Sequence, residues 1–147
     1  MYTCILIATD GSDLSRKAVA SGLQLARITG ASVVAVHVVP RYPLGFFEGG
    51  MNIATEEVGR IEKQWADAAQ ALLDQVKVEA GAEGVAVKTV AAQSDLVAES
   101  ILATAQKHGC DLIVMASHGR HGLKRLLLGS ETTHVLTHSQ IPVLVLR

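Results

Sequence analysis

Two glycines and the start of a helix mark the segment of this chain that is best suited to hold an anion. Gly119 and Gly129 bracket nine residues, 120–128, and Ser130 follows at the start of a predicted helix. Glycine lets backbone amides approach a ligand closely, and a helix start adds N–H groups at the positive end of its dipole. Positive side chains lie nearby: Arg120, Lys124 and Arg125. The segment predicts a phosphate site, while glycine turns before helices also serve as plain packing devices.

This segment differs from the two best-known phosphate loops. The chain contains no Gly-Lys-Ser or Gly-Lys-Thr, so the segment is not a Walker A loop. No Gly-x-Gly-x-x-Gly follows the first predicted strand, which excludes the dinucleotide fingerprint. That strand ends instead in a polar turn, where Asp10 could either bind a ribose or cap the next helix together with Ser12.

Strands and helices alternate along the chain, and they must position the turn at Asp10 and the segment from Gly119 to Ser130. Buried apolar runs predict strands, and apolar residues spaced by three or four predict helices. The strands are predicted over 2–9, 31–39, 85–91, 111–116 and 141–146, and the helices over 13–29, 52–80, 94–108 and 130–139. This order predicts an α/β fold with one domain over 1–147, a doubly wound five-stranded parallel sheet with helices on both faces.

Several local features refine this prediction. Ser12 should cap the first helix and Ser94 or Asp95 the third, while Gly81 and Gly84 should end the second. The second helix should turn Val58, Ile61, Trp65, Ala68, Leu72 and Val76 inward. Trp65 is predicted to be core or interface. Phe46 and Phe47 lie in a glycine-rich loop that could be a lid, tuck onto the sheet edge or form a partner surface.

Composition excludes several classes of protein. A formal net charge of -1 on 147 residues is no basis for sequence-independent binding of nucleic acid. No apolar run approaches the roughly 18 residues of a membrane span, and the first residues lack the features of a secretory signal, so a cytoplasmic location is expected. Cys4 and Cys110 are too few and too separated for a disulfide framework or a zinc cluster and are predicted to be buried thiols.

Histidines offer weaker candidates for chemistry. His118 flanks the predicted phosphate site but lacks the nucleophile and orienting partner of a catalytic arrangement, so hydrogen bonding to phosphate or backbone is favoured. His134 and His138 lie one helical turn apart without a third metal ligand in the pattern. They are predicted, with His121, to be surface residues.

The motifs together resemble the universal stress protein family, and in particular its ATP-binding members. The resemblance rests on VMASHG at 114–119, GS at 129–130 and IPVLV at 141–145, with ATDGS at 8–12 and HV at 37–38, and covers essentially the whole chain. The family's ATP-binding members carry Gly-x-x-Gly, nine residues, then Gly-Ser or Gly-Thr. Ala116 replaces the first of those glycines here, which is harmless if position 116 has strand geometry.

The resemblance implies a fold like the adenine nucleotide alpha hydrolases and a site for ATP, ADP or AMP, with Mg²⁺ held through the phosphates. No protein side chain is assigned to the metal. Glu131 would repel a triphosphate unless it points away or meets the magnesium ion. The implied ligand residues are Ala8, Thr9, Asp10 and Val38 at the adenosine, Met115, Ala116 and His118 in the middle, and Gly119, Gly129, Ser130, Glu131 and Thr132 at the phosphates.

The resemblance also implies a homodimeric stress-response switch. The last strand is apolar throughout and would be an aggregation hazard as an unpaired edge, and relatives pair it with its twofold mate. Any hydrolysis should be slow, because no general base or arginine finger is evident. A dimeric interaction module that binds no nucleotide remains the alternative. An adenylating or pyrophosphatase enzyme is less favoured, because the chain lacks the Ser-Gly-Gly-x-Asp-Ser loop after strand one.

Overall fold

A computed structural model describes residues 1–42, 55–119 and 128–147 of the chain. In these ranges strands and helices alternate as predicted. The elements are β1 (Cys4–Ala8), α1 (Asp13–Thr29), β2 (Ser32–Val39), α2 (Thr55–Ala82), β3 (Val87–Gln93), α3 (Val97–Lys107), β4 (Leu112–Ala116), α4 (Ser130–His138) and β5 (Val143–Leu146). None of the helices in the described ranges is long and apolar enough to cross a membrane.

The five strands form one parallel sheet in the order β3-β2-β1-β4-β5. The chain builds outward from β1 through β2 to β3, then returns to the other side of β1 for β4 and β5. Strand order therefore reverses between β1 and β4, and ligands of such sheets bind at the carboxyl ends of the strands beside this point. The predicted fold class is confirmed.

Alternate residues of the central strands bury their side chains on opposite faces of the sheet. Ile5 and Ile7 belong to a core shared with α1 and α2, whereas Leu6 belongs to a core shared with α3 and α4. All three side chains are fully buried. Two helices thus cover each face, which explains why β1 and β4 are apolar without a polar alternation.

The first helix begins and ends as predicted. The Ser12 hydroxyl accepts a hydrogen bond from the Ser15 amide at 3.2 Å. Gly30 has a φ of 74°, in the left-handed region that favours glycine, and closes the helix. The Ser12 cap fixes where α1 begins after β1 and therefore the position of the turn at Asp10.

The predicted cap of α3 is wrong. Helix α3 begins at Val97 with Leu96 in the capping position, where no side chain caps it. The Ser94 hydroxyl instead accepts from the Leu96 amide, closing the preceding turn at 3.0 Å. Asp95 instead accepts from the amide of Arg41 at 3.0 Å.

Helix α2 continues through Gly81, against prediction, and ends at Ala82, whereas Gly84, with a left-handed φ of 69°, lies in the turn that ends the helix, as predicted. The turn that follows is closed by the Val85 amide, which donates to the Ala80 carbonyl at 2.9 Å. Since Val85 is used in this turn, β3 begins two residues later than predicted, at Val87.

The buried face of α2 also differs from the predicted stripe. Its buried residues are Val58, Ala69, Leu73, Val76 and Ala80. Ala68 is exposed, and Ile61, Leu72 and Trp65 are half-buried. A single line of apolar residues does not predict the buried face of a helix of 28 residues, because the face that packs on a twisted sheet rotates along the helix. The Trp65 ring lies 6.0 Å from that of Tyr42, between ring centroids.

Gly22 lets α1 approach the central strand. A Cβ atom at this position would lie 2.5 Å from Cδ1 of Ile7, whose side chain is fully buried. Gly22→Ala is expected to lower the free energy of unfolding in urea by about 1–3 kcal/mol, because the added methyl group overpacks the core. The matched control is Gly81→Ala, where a Cβ meets nothing within 4 Å and alanine should be neutral or stabilising. Equal stabilities for the two variants would contradict this packing.

Asp111 ties the start of β1 to the start of β4. Its carboxylate accepts from the amides of Thr3 at 2.9 Å and Cys4 at 3.1 Å, and from the Thr3 hydroxyl at 2.9 Å. Desolvation raises the pKa of the Asp111 carboxyl, but these hydrogen bonds from Thr3 and Cys4 outweigh it and lower the pKa below its ordinary value. A lowered folded-state pKa stabilises the protein at pH values above the unfolded pKa.

This stabilisation should be lost in acid. It is fully present above the ordinary aspartate pKa of about 3.9 and is lost as the pH falls through the lower folded pKa. Asp111→Asn is therefore expected to have a lower free energy of unfolding than the unmodified protein at neutral pH. The difference between the two free energies should shrink as the pH falls below about 3.9. Urea unfolding of both proteins across the pH range measures it, with the exposed Asp67→Asn as control. A constant difference at all pH values would refute the account.

Candidate nucleotide-binding site

The turns after β1 and β4 meet at the carboxyl edge of the sheet. A Cβ atom at Gly119 would lie 2.5 Å from Oδ2 of Asp10, so the glycine backbone lies directly against this carboxylate. Gly119 has no left-handed φ, and close approach therefore explains the need for glycine. We call this contact, with the residues around it, the candidate nucleotide-binding site.

A network of hydrogen bonds fixes the β1 side of the site. The Ser12 amide donates to Oδ1 of Asp10 at 2.9 Å, and Oδ2 is the oxygen that lies next to Gly119. Thr9 is buried, and its amide donates to the Val36 carbonyl at 3.0 Å. Asp10 thus closes the turn before α1 and also faces the β4 loop.

His37 is a positioning residue that sequence reasoning did not identify as one. Its Nδ1 lies 2.8 Å from the carbonyl oxygen of Thr9. A carbonyl only accepts, so Nδ1 carries the proton and donates. The sequence feature that could have indicated this role is the position of His37 near the carboxyl end of β2, the strand that pairs with β1. The residue after it, Val38, is half-buried at the same edge, and Ala8 is buried at the end of β1.

Position 116 has strand geometry. Ala116 is the last residue of β4, pairs with Leu146 and is buried, as is Met115. Extended backbone accommodates alanine as readily as glycine, so replacing the family's first glycine does not strain this end of the site.

Thr132 and Gly129 hold α4 against the end of β4. The buried Thr132 hydroxyl donates to the Ala116 carbonyl at 2.9 Å. The Gly129 amide donates to the Ser117 carbonyl at 2.7 Å. A Cβ at Gly129 would lie 3.3 Å from Cα of His118 and from the Ser117 carbonyl oxygen. Close contact with the backbone therefore explains this glycine as well.

The first turn of α4 faces the site without a side-chain cap. Gly129 occupies the capping position with extended φ and ψ, and Ser130 follows on the surface. The amides of a first helical turn have no acceptor within the helix and carry the positive end of its dipole. This terminus can therefore receive an anion.

Glu131 does not contribute its carboxylate to this terminus. Oε2 of Glu131 accepts a hydrogen bond from the Ala98 amide at 2.8 Å, in the first turn of α3. Helix α3 has no capping side chain of its own, and its orphan amides and dipole stabilise a carboxylate supplied by α4. The Glu131 carboxylate is therefore engaged at α3, and the place of Glu131 among the phosphate residues stays a prediction.

Removing this carboxylate should affect stability rather than nucleotide affinity. Glu131→Ala is expected to lower the free energy of unfolding by about 1 kcal/mol, the usual cost of losing a helix cap. Glu131→Gln keeps an acceptor oxygen and should recover part of the loss. Calorimetric titration of both variants with ATP should give affinities within about threefold of the unmodified protein, since the charge points to α3. Tighter ATP binding by both variants would place the carboxylate at the phosphates instead.

The rings of His118 and His138 have local hydrogen-bond partners. Nδ1 of His118 lies 3.1 Å from the Ser117 hydroxyl, whose residue is buried and whose amide donates to the Leu146 carbonyl at 2.7 Å. The rings of His134 and His138 have centroids 4.3 Å apart. Within 1–42, 55–119 and 128–147, no three histidine, cysteine or acidic side chains are grouped to hold a metal ion.

Some predicted features lie outside the described residues. They are the loop with Phe46 and Phe47, the cations Arg120, Lys124 and Arg125, and His121. All of the predicted ligand residues are within the described ranges, and they lie at the carboxyl ends of β1, β2 and β4 and in the first turn of α4, with the Glu131 carboxylate directed to α3.

Comparison with known proteins agrees with this architecture. The model of the universal stress protein family matches residues 1–147. Universal stress protein MJ0531 of Methanocaldococcus jannaschii is 34% identical, with 100% of this chain and 83% of that protein covered. Universal stress protein YxiE of Bacillus subtilis is 31% identical, with both chains covered completely. The chain therefore belongs to the universal stress protein family.

A solved structure supports the same conclusion. MJ0577 of Methanocaldococcus jannaschii superimposes with a TM-score of 0.82 at 29% identity. The match covers 99% of this chain and 96% of that one. The family resemblance derived from the motifs is thus confirmed over the full length.

Proposed function

We propose that this chain binds ATP or another adenine nucleotide at the candidate nucleotide-binding site and acts as a dimeric stress-response switch. The observation that carries the proposal is the close contact between the Gly119 backbone and the Asp10 carboxylate. This contact places the Asp10 carboxylate, which can accept hydrogen bonds from a ribose, next to the glycine that begins the segment leading to the N-terminus of α4.

The geometry supports a division of the site into two ends. Ala8, Thr9, Asp10 and Val38 lie at the carboxyl ends of β1 and β2 and would hold the adenosine, with Met115, Ala116 and His118 beside it. The amides at Ser130 and its neighbours would hold the phosphates. Mg²⁺ would be bound by phosphate oxygens, a donor set that this ion prefers.

Two proteins with this fold support an adenine nucleotide as the ligand class. A universal stress protein solved in complex with cAMP has a TM-score of 0.73 at 20% identity. A universal stress protein from Archaeoglobus fulgidus in complex with dAMP has a TM-score of 0.60 at 19% identity. Their likeness to this chain is one of fold, and they support the proposal by showing that the fold accepts such ligands.

The chemistry of the site favours binding over rapid turnover. The Ser117 hydroxyl and His118 are adjacent, but Ser117 is buried and its backbone is held by β5. Hydrolysis would therefore be slow, and an occupied site would act as a signal for partners in the cytoplasm.

The exposed edge of β5 supports a homodimer. Within the described residues β5 pairs only with β4, and Leu144 is 40% exposed. The Pro142 carbonyl accepts from the Ile113 amide of β4, and the Leu146 carbonyl accepts from the Ser117 amide just after β4. Because backbone groups of successive strand residues are directed to alternate sides, those of Val143 and Val145 are directed away from β4. A second copy that pairs with Val143–Leu146 would satisfy these groups.

Equilibrium calorimetry with ATP, ADP, AMP and cAMP tests the proposed function. In the presence of magnesium, we expect one nucleotide per chain, and the double variant Gly119→Val with Ser130→Ala should lose this binding while remaining folded. Failure of the unmodified protein to bind any of the four at about 1 mM would overturn the proposal. It would favour the alternative, a dimeric interaction module that binds no nucleotide.

A further inference from the structure

Two cysteine thiols meet at the edge of the sheet opposite the candidate nucleotide-binding site. Cys4 is the first residue of β1, and Cys110 lies just before β4. Their Sγ atoms are 3.1 Å apart although the residues are 106 positions apart in sequence. The adjacent backbones are held together by the Asp111 amide, which donates to the Cys4 carbonyl at 2.9 Å. Cys110 is buried as predicted, whereas Cys4 is half-buried, and the contact between the two thiols was not predicted.

We propose that Cys4 and Cys110 are a peroxide-sensitive dithiol that closes reversibly to an intramolecular disulfide. A disulfide has a sulfur–sulfur bond of about 2.05 Å, so the two atoms need to approach by only about 1 Å. The pairing of β1 with β4, which puts Ile5 opposite Leu112, already brings the starts of the two strands together. Closure therefore requires a small local adjustment and no rearrangement of the sheet.

The two thiols differ in exposure, which sets the order of reaction. Cys4 is half-buried, whereas Cys110 is 6% exposed. Burial, followed by the hydrogen bond with Cys4, raises the pKa of Cys110 to about 12, so this residue remains a neutral thiol. Cys4 is the more exposed of the two and is therefore the thiol that meets the oxidant first.

The proposed oxidant is hydrogen peroxide. The Cys4 thiolate attacks one peroxide oxygen, the O–O bond breaks, and the departing hydroxide takes a proton to become water. This leaves a sulfenic acid on Cys4. The Cys110 sulfur then attacks the Cys4 sulfur, the S–O bond breaks, and the Cys110 proton leaves with the hydroxide as a second water. Two thiols lose two electrons, and one peroxide is reduced to two waters.

The cross-link would join the central strand to its neighbour and close the chain between residues 4 and 110. Closing a loop of this length removes much of the freedom of the unfolded chain. The oxidised protein is expected to melt about 10 °C above the reduced protein, and a reductant should reverse the shift. This readout does not depend on nucleotide binding.

The test treats the fully reduced protein with equimolar hydrogen peroxide and counts free thiols after denaturation. We expect both thiols to be lost together, a mass lower by two hydrogen atoms and a peptide that links Cys4 to Cys110, all reversed by dithiothreitol. In the matched variant Cys110→Ser, Cys4 should instead be trapped as a dimedone adduct. Retention of both thiols, disulfides only between chains, or sulfinic acid at Cys4 in the unmodified protein would overturn the proposal.

Discussion

Asp10→Ala is expected to weaken the binding of ATP by about 10- to 100-fold. The estimate corresponds to the loss of a hydrogen bond to a charged group, worth about 1.5–3 kcal/mol. Asp10 lies at the point where strand order reverses, and its Oδ2 is directed at the loop after β4. Calorimetric titration with ATP and magnesium measures the loss. Asp10→Asn keeps an oxygen that can accept from the Ser12 amide and so separates loss of the ligand contact from loss of the turn.

A double-mutant cycle sharpens this prediction. Gly119→Ala alone should lower the affinity about tenfold, because its Cβ would displace the Asp10 carboxylate. In the Asp10→Ala background the same change should be nearly neutral, because the carboxylate that it meets is gone. Additive losses in the double variant would show that Gly119 and Asp10 act independently, and would contradict the contact that defines the site.

Val145→Pro is expected to raise the dissociation constant of the proposed dimer by about 100-fold. The Val145 amide points away from β4, so proline removes a hydrogen bond to the second copy, twice per symmetric dimer, and leaves the β4 pairing in place. Proline is tolerated at such edge positions. Analytical ultracentrifugation across a concentration series measures the constant.

The matched control for this change is Val145→Thr, which keeps the amide and the β-branched shape. It should remain a dimer, and thermal unfolding should show that both variants are folded. An unmodified protein that is monomeric at micromolar concentration would refute the pairing of β5. A proline variant that dimerises as well as the threonine variant would place the interface elsewhere.

The sequence predicts those features that depend on local patterns. Apolar runs place all five strands, and Ser12 and Gly30 place the ends of α1 correctly because caps are short-range devices. The boundaries of β3 were less accessible, because Val85 looks like a strand residue but is used to close the turn after α2. Its role depends on a hydrogen bond to Ala80 that propensity does not encode.

Contacts between distant segments were harder to predict. Glu131 follows the phosphate motif in sequence, yet its carboxylate caps α3, because α3 and α4 pack side by side on one face of the sheet. Cys4 and Cys110 look unrelated until β1 and β4 are known to be neighbours. The turns that carry Asp10 and Gly119 follow parallel strands, which bring their carboxyl ends to one edge, but the close contact between the two residues was not predicted.

The most direct test of the central claim is a titration of the ¹⁵N-labelled protein with ATP and magnesium, followed by amide chemical shifts. We predict saturable shifts at Asp10, Val38, Gly119 and Ser130, with Cys4 and Asp111 at the opposite edge of the sheet unchanged. These residues place the ligand across the carboxyl ends of β1, β2 and β4. Saturable shifts confined to other surfaces, or no shifts at about 1 mM ATP, would contradict the account.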